Sequence, residues 1–283
     1  MSTPSTYVVA EPPAVSAVGA PARRPERFGA PRQTGSARRV PVERPGGRQR
    51  EAAIRIAQSR GELYGAFRLV YEAYLRSDLA RPNRLGMRVN RFNLLPTTEV
   101  FVAVERNRVI CTMSLVRDGR RGIPMEAIYD QEVGCCRSQG ISIAEVSCLA
   151  DQQQGSNHSF PTLSRLMSFT AQVAKKRGVD ELLIAVHPRH GRFYERFLAF
   201  EPIGDETTYP MVQGNPAVAL ALDLNRLQVD HPRAYKRLFG VPFPAELLEY
   251  RTMADELRSE LRLVVDASYD TEAPSEAMEL AAC

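Results

Sequence analysis

The sequence predicts an α/β domain with a mixed central sheet flanked by helices. Three observations point to it. Two apolar, β-branched runs, Val100–Val104 and Val109–Val116, flank Glu105-Arg106-Asn107-Arg108, which reads as a hairpin with Asn107 suited to the turn. Two more apolar runs, Ile141–Ala150 and Glu181–Val186, enclose a segment of helical period. That order predicts a parallel pair joined by a right-handed crossover. A final run, Ala217–Leu224, adds another strand.

Taken in order, Leu63, Phe67, Val70, Tyr71 and Tyr74 recur at helical spacing, so about residues 51–76 read as one helix. A polar stretch with Pro82, Asn83, Gly86 and Pro96 follows, and loops of such length tend to be functional or to hide structure. Ala127, Ile128 and Val133 suggest a helix within 122–138. In Ile141–Ala150 the apolar residues change phase. Ile141 and Ile143 set one parity, and past Glu145 the set becomes Val146, Cys148 and Ala150. A bulge near Glu145 would produce that change; a strand buried on both faces is the alternative. Ser159 can cap the next helix. Leu163, Leu166, Met167 and Val173 mark its buried face, Lys175, Lys176 and Arg177 suit its C-terminal dipole, and Gly178 ends it. After Glu181–Val186 come His187-Pro188-Arg189-His190-Gly191 and a short helix, Arg192–Leu198. About residues 244–262 read as a peripheral helix.

With 283 residues, 44% of them hydrophobic, the chain can build one sizeable core. The net charge of +4 is unevenly spread: residues 1–50 carry nine Arg, three Glu and eight Pro. Three parts are expected. Residues 1–50 are a disordered, basic, Pro/Arg-rich tail, 51–240 the folded domain, and 241–283 a peripheral helix with an acidic tail. A solvated tail is a simpler reading of the basic segment than an arm for RNA or membranes, so no nucleic-acid partner is expected. No signal-peptide core and no transmembrane span are visible, which predicts a soluble, cytoplasmic protein. The five Cys match neither a zinc pattern nor a disulfide framework, and no metal is expected.

Phe193-Tyr194-Glu195-Arg196-Phe197-Leu198-Ala199-Phe200-Glu201 resembles the segment of GNAT acyltransferases written FYeklGFe, with Ala199 where that family commonly has Gly. The hairpin VFVAVERNRVICTMSLV resembles the GNAT central strands. A closer resemblance is to the long-chain N-acyl amino acid synthases. It rests on VYEAYL (70–75), LPTTEVFVAV (95–104), GIPMEAIYDQEV (122–133), AEVSCLA (144–150), VHPRHGRFYERFLAFEPIG (186–204) and GNPAVALALDL (214–224). AEVSCLA is also similar to a segment of the acyl-homoserine lactone synthases. The resemblance implies a GNAT-like fold with splayed central parallel strands, an acyl-phosphopantetheine donor on acyl carrier protein and an amino acid acceptor. No permanently bound cofactor is implied. GNAT acetyltransferases follow their fourth strand with a Gly-rich pyrophosphate loop, whereas Asp151–Phe160 here has only Gly155. A carrier-tethered donor needs less of such a cradle.

Moving an acyl group to an amine needs a proton acceptor, a polarised carbonyl and a departing thiolate. Glu145, a carboxylate amid apolar neighbours, is the candidate base, with an acid structurally paired to Arg as the alternative. A bulge would free a backbone N–H for the thioester oxygen and make room for pantetheine. The family resemblance implies Tyr194 as the acid for the thiolate; otherwise it is a packed aromatic. His187, after the strand end, could meet the acceptor carboxylate or relay a proton, or be structural. Ser147 lacks a G-x-S-x-G elbow, so it is a substrate contact rather than a nucleophile. Arg189 and Arg192, with Arg196, could meet acids on a carrier protein or simply solvate a helix. Two rival functions stay open: a transferase using acetyl or short acyl coenzyme A, and a non-catalytic carrier-binding module.

Overall fold

The computed structural model describes residues 52–152 and 159–265. The basic first fifty residues, the loop around Gly155, the Ser159 side chain and the acidic tail beyond residue 265 lie outside the described residues.

A seven-stranded sheet runs in the order β1-β2-β3-β4-β5-β7-β6. Its strands are β1 (Ala53–Ile56), β2 (Thr98–Glu105), β3 (Arg108–Arg117), β4 (Ile143–Asp151), β5 (Glu181–Val186), β6 (Glu201–Tyr209) and β7 (Asn215–Asp223). Every neighbouring pair is antiparallel except β4–β5. The predicted hairpin is β2–β3. Its turn residues, Arg106 and Asn107, take φ of 48° and 62°, the left-handed geometry that matches strand twist.

Two faces are covered. On one lie α1 (Arg60–Arg76), α2 (Asp130–Ser138) and two short 3₁₀ turns, Arg91–Leu94 and Pro124–Ala127. On the other lies α3 (Ser159–Lys176), which packs Leu166, Phe169 and Val173 against Phe101, Met113 and Leu115. After β5 come α4 (Pro188–Phe193) and a π turn, Tyr194–Leu198. The short α5 (Leu227–Asp230) leads to α6 (Pro232–Phe239), where the Leu238 carbonyl accepts from Ser168 Oγ of α3 at 2.6 Å. The chain then rounds the sheet's β1 edge. α7 (Asp255–Arg262) docks on the α1 face through Leu257 and Leu261, and Tyr64 donates to Glu260 at 2.6 Å.

Four expectations are corrected. Residues 53–56 are an edge strand, not the start of a helix, because Ile54 and Ile56 alternate into the core and Ser59 opens α1 with a capping box to Glu62. The helix after β5 starts at Pro188 rather than Arg192, with His187 as its N-cap. Residues 244–254 are mostly irregular, with a 3₁₀ turn at Ala245–Leu248, and only Asp255–Arg262 is α-helical. Pro242 and Pro244 interrupt the backbone, and Phe243 and Leu248 are drawn against the core. Finally, β6 was not expected. It is an exposed, polar edge strand paired only to β7, so it has no apolar alternation to read.

Candidate active site

The site begins as a defect in β4. Against β3, Ser147 pairs with Ser114 but Ala150 pairs with Thr112, so β4 holds one residue more than its partner between those rungs. Cys148 absorbs it at φ 55°. The predicted bulge therefore exists, but it lies three residues beyond Glu145. Val146 and Leu149 pack toward α3, while Cys148 and Ala150 pack against α1.

Beside the bulge the sheet opens. β4 and β5 pair only at Ile143–Glu181, Ala144–Leu182 and Glu145–Leu183, although both strands continue. Past Glu145 they splay, as the resemblance implied. A cavity of about 830 Å³ fills this parting and reaches both faces of the sheet. Its α3 side is lined by apolar residues including Leu163, Met167, Leu182 and Ile184, and its α1 side by Tyr74, Arg88, Asn90 and Tyr209.

Glu145 is the last residue of β4 that pairs with β5, and it is 3% exposed. Its Oε2 accepts a hydrogen bond from Met125 N–H at 2.6 Å. Burial pushes its pKa up to about 8, with the Met125 bond opposing. Among the described residues no Arg, Lys or His forms an ion pair with it, so the Arg-paired reading finds no support. Met125 sits in the Pro124–Ala127 turn, whose position is fixed from outside. Arg137 of α2 donates to Glu126 and to Asp118, each at 2.8 Å. Gly122, at φ 65°, lies so close to Glu126 that a Cβ would come within 2.1 Å of Oε2.

The other predicted residues largely converge. Ser147, His187, Arg189 and Tyr194 line the cavity with Glu145. Ser147 Oγ is buried near the Cys148 thiol and has no hydrogen-bond partner of good geometry among the described residues. A hydroxyl left so beside a cavity is suited to a ligand's polar group. Tyr194 stands edge-on to Phe193 and Phe200, at 5.3 and 5.7 Å, and burial raises its pKa to about 12. Phe193 and Phe197 stack at 5.1 Å against the core. His187 caps α4, its Nδ1 accepting from Arg189 N–H at 3.2 Å; burial, then the Arg189 charge, lowers its pKa. Arg192 is exposed and outside the lining. Sequence reasoning passed over His190, Arg88, Tyr74 and Tyr209. Burial and Arg189 hold the His190 pKa at about 4. Arg88 sits in a stretch without periodicity, so nothing local announced it.

This arrangement can hold a long apolar chain on one side of the sheet and a polar molecule on the other, with a titratable carboxyl between them. Residues 65–223, more than half of the chain, match the family model described as N-acyl amino acid synthase FeeM. The solved structure of FeeM, an N-acyl amino acid synthase from uncultured soil microbes, superposes with a TM-score of 0.56 at 27% identity, covering 62% of this chain and 92% of that one. BjaI, a CoA-dependent acyl-homoserine lactone synthase, gives a TM-score of 0.51 at 15% identity over 75% of this chain and 100% of its own. The acyl-homoserine lactone synthase LasI gives 0.51 at 15% over 71% and 100%. These last two share the fold. No curated protein sequence matches the chain. The chain is thus an acyltransferase of GNAT-like fold, and it belongs to the N-acyl amino acid synthase FeeM family.

Proposed function

We propose that the protein moves a long acyl chain from the pantetheine thioester of an acyl carrier protein to the α-amine of an amino acid, in the cytoplasm. Glu145 is the observation that carries this reading. Its carboxyl has a pKa near 8 where the parallel strands part, close to the value of roughly 8 for an α-amino group. Donor and acceptor of the proton are thereby matched near working pH.

The steps follow from the layout. The amide-bearing pantetheine arm lies along the free edges of β4 and β5, with the acyl chain among Leu163, Met167 and Ile184. The amine nitrogen attacks the thioester carbonyl and its proton passes to the Glu145 carboxylate. A backbone N–H of the Val146–Leu149 segment, with Ser147 Oγ, holds the oxyanion. Collapse forms the amide and breaks the C–S bond, and Tyr194 gives its proton to the departing sulfur. His187, largely neutral at pH 7, orders the mouth of the cavity and is the alternative proton relay.

Mass spectrometry of lipid extracts from cells making the protein tests the reading. New N-acyl amino acids, absent from cells making Glu145→Gln, are expected; their absence from wild-type cells sinks it. A second test concerns Tyr194. A thiolate is a good leaving group and departs without much help. Tyr194→Phe should therefore lower kcat by about 10²-fold, the lower end for acid catalysis. Unchanged kcat in single-turnover chemistry would return Tyr194 to the packed aromatics.

Donor choice is read at the surface. Arg189 and Arg192 of α4 and Arg196 of the π turn are exposed, and Arg237 joins them by donating to the Phe197 carbonyl at 2.6 Å. Such a cluster suits an acidic carrier. Reversing Arg192 and Arg196 to Glu should lower kcat/KM for the acylated carrier by about 10-fold or more, with the difference fading at high salt. The matching acyl coenzyme A should be affected less. Equal or better use of acyl coenzyme A by the wild type would replace the carrier as donor.

A further inference from the structure

We propose that Arg88 is the anchor for the acceptor's α-carboxylate, so that the acceptor is selected as a carboxylate-bearing amine; this rests on the transferase reading above. Arg88 is 5% exposed and lines the cavity on the α1 side of the sheet. Its contacts include two that hold the guanidinium in place. Nη2 donates to the Met211 carbonyl at 2.7 Å, and the guanidinium lies 4.6 Å from the centre of the Tyr74 ring.

Its neighbours define where a ligand's charge would sit. The phenols of Tyr74 and Tyr209 each feel both the Arg88 cation and the Glu145 carboxyl. Both rings line the cavity, as do Arg88 and Glu145 themselves. One compartment is therefore lined by a cation, a carboxyl and two phenols near enough to feel both charges. An α-amino acid presents its anion and its amine a few bonds apart. With the carboxylate on Arg88, the amine faces Glu145 and the splayed strands that receive the thioester.

The alternatives are less well placed. Arg189 is exposed on α4, beside the donor-side surface cluster. His187 and His190 have lowered pKa values, so near neutrality they offer little positive charge. Burial also matters: a carboxylate meeting a guanidinium away from water gains more than at the surface, and a planar fork can take both of its oxygens.

The experiment compares an amino acid with its carboxamide as acceptor. Wild type should prefer the free acid in kcat/KM by about 10- to 100-fold, the worth of a charged hydrogen bond. Arg88→Met should collapse that preference to near unity, mainly through KM for the free acid. Arg88→Lys, which keeps the charge but not the fork, should restore part of it and serves if the Met variant folds poorly. Calorimetric titration of an N-acyl amino acid product against its carboxamide reads the same contact without turnover. Discrimination that survives in Arg88→Met, by rate and by binding, overturns the proposal. A wild type that acylates acids and carboxamides equally also overturns it while leaving the transferase reading intact. Failure of the wild type to acylate any amine removes that reading, and the product titration still decides the Arg88 contact.

Discussion

Glu145→Gln is expected to lower turnover about 10²–10⁴-fold and, in the same molecule, to raise heat stability at alkaline pH. The first effect is loss of the proton acceptor, since Gln keeps the size of the side chain but not its basicity. The second follows from linkage. Burial raises the folded-state pKa from 4.5 to about 8, so folding favours the neutral carboxyl. That contribution is fully present below pH 4.5 and is lost as pH rises through 8. Above it, wild type must bury a carboxylate that the Gln variant lacks. Each kcal/mol so recovered should raise Tm by about 2–4 °C. The wild-type rate should climb with pH toward 8 as the carboxylate forms. The variant lacks that limb, so its deficit should widen from pH 6 to pH 8. A pH–rate series beside melting curves at pH 6 and pH 9 checks both. A stable variant with near wild-type turnover at neutral pH would remove Glu145 from the chemistry.

Arg177→Met should cost about 3–5 kcal/mol of stability, with chemistry in the surviving folded fraction unaffected. Arg177 and Glu99 of β2 form a two-pronged pair, Nε to Oε2 at 3.0 Å and Nη2 to Oε1 at 2.7 Å. Their side chains are 8% and 0% exposed. Arg177 Nη1 also donates to the Leu248 carbonyl at 2.9 Å, and the Tyr250 ring lies 5.3 Å from the guanidinium. Removing the cation leaves a carboxylate buried without its partner. Denaturant melts should show the loss, and the double variant Arg177→Met, Glu99→Gln should regain much of it. A single variant as stable as wild type would mean that water reaches Glu99.

The legible parts of the fold were those with local causes. A two-residue turn announces the β2–β3 hairpin, and α3 carries its own periodicity and stop signal. β1 was absorbed into α1 because four residues are too few to set a period beside seventeen helical ones. The bulge was readable but displaced. Between Ile143 and Ser147 both faces of β4 are covered, so apolar character carries no parity there. The actual break comes at Cys148, directly after Ser147, and these two small side chains of similar character leave no mark of it in the sequence. In the site, the sequence pointed to Glu145 as a carboxylate inside an apolar strand, to His187 by its place at a strand end, and to Tyr194 through the resemblance of its segment to a family's. Arg88 reaches the cavity beside residues far from it in the chain: Met211, whose carbonyl it bonds, lies 123 positions away, and Tyr209 comes from the same distant segment. Such long-range closure has no local signature.

The seam between β4 and β5 has a mechanical meaning. Only three strand-ladder pairs join the four-stranded half of the sheet to the three-stranded half. The backbone edges past Glu145 and Leu183 have no strand between them. On the proposed reading, a bound pantetheine arm is the missing rung of this ladder, and its amides stitch the halves together. The donor is then part of the enzyme's framework while it is bound. On that reading the backbone ladder is continuous across the sheet only while the donor is bound, and between turnovers the two halves are joined past Glu145 by side-chain packing alone.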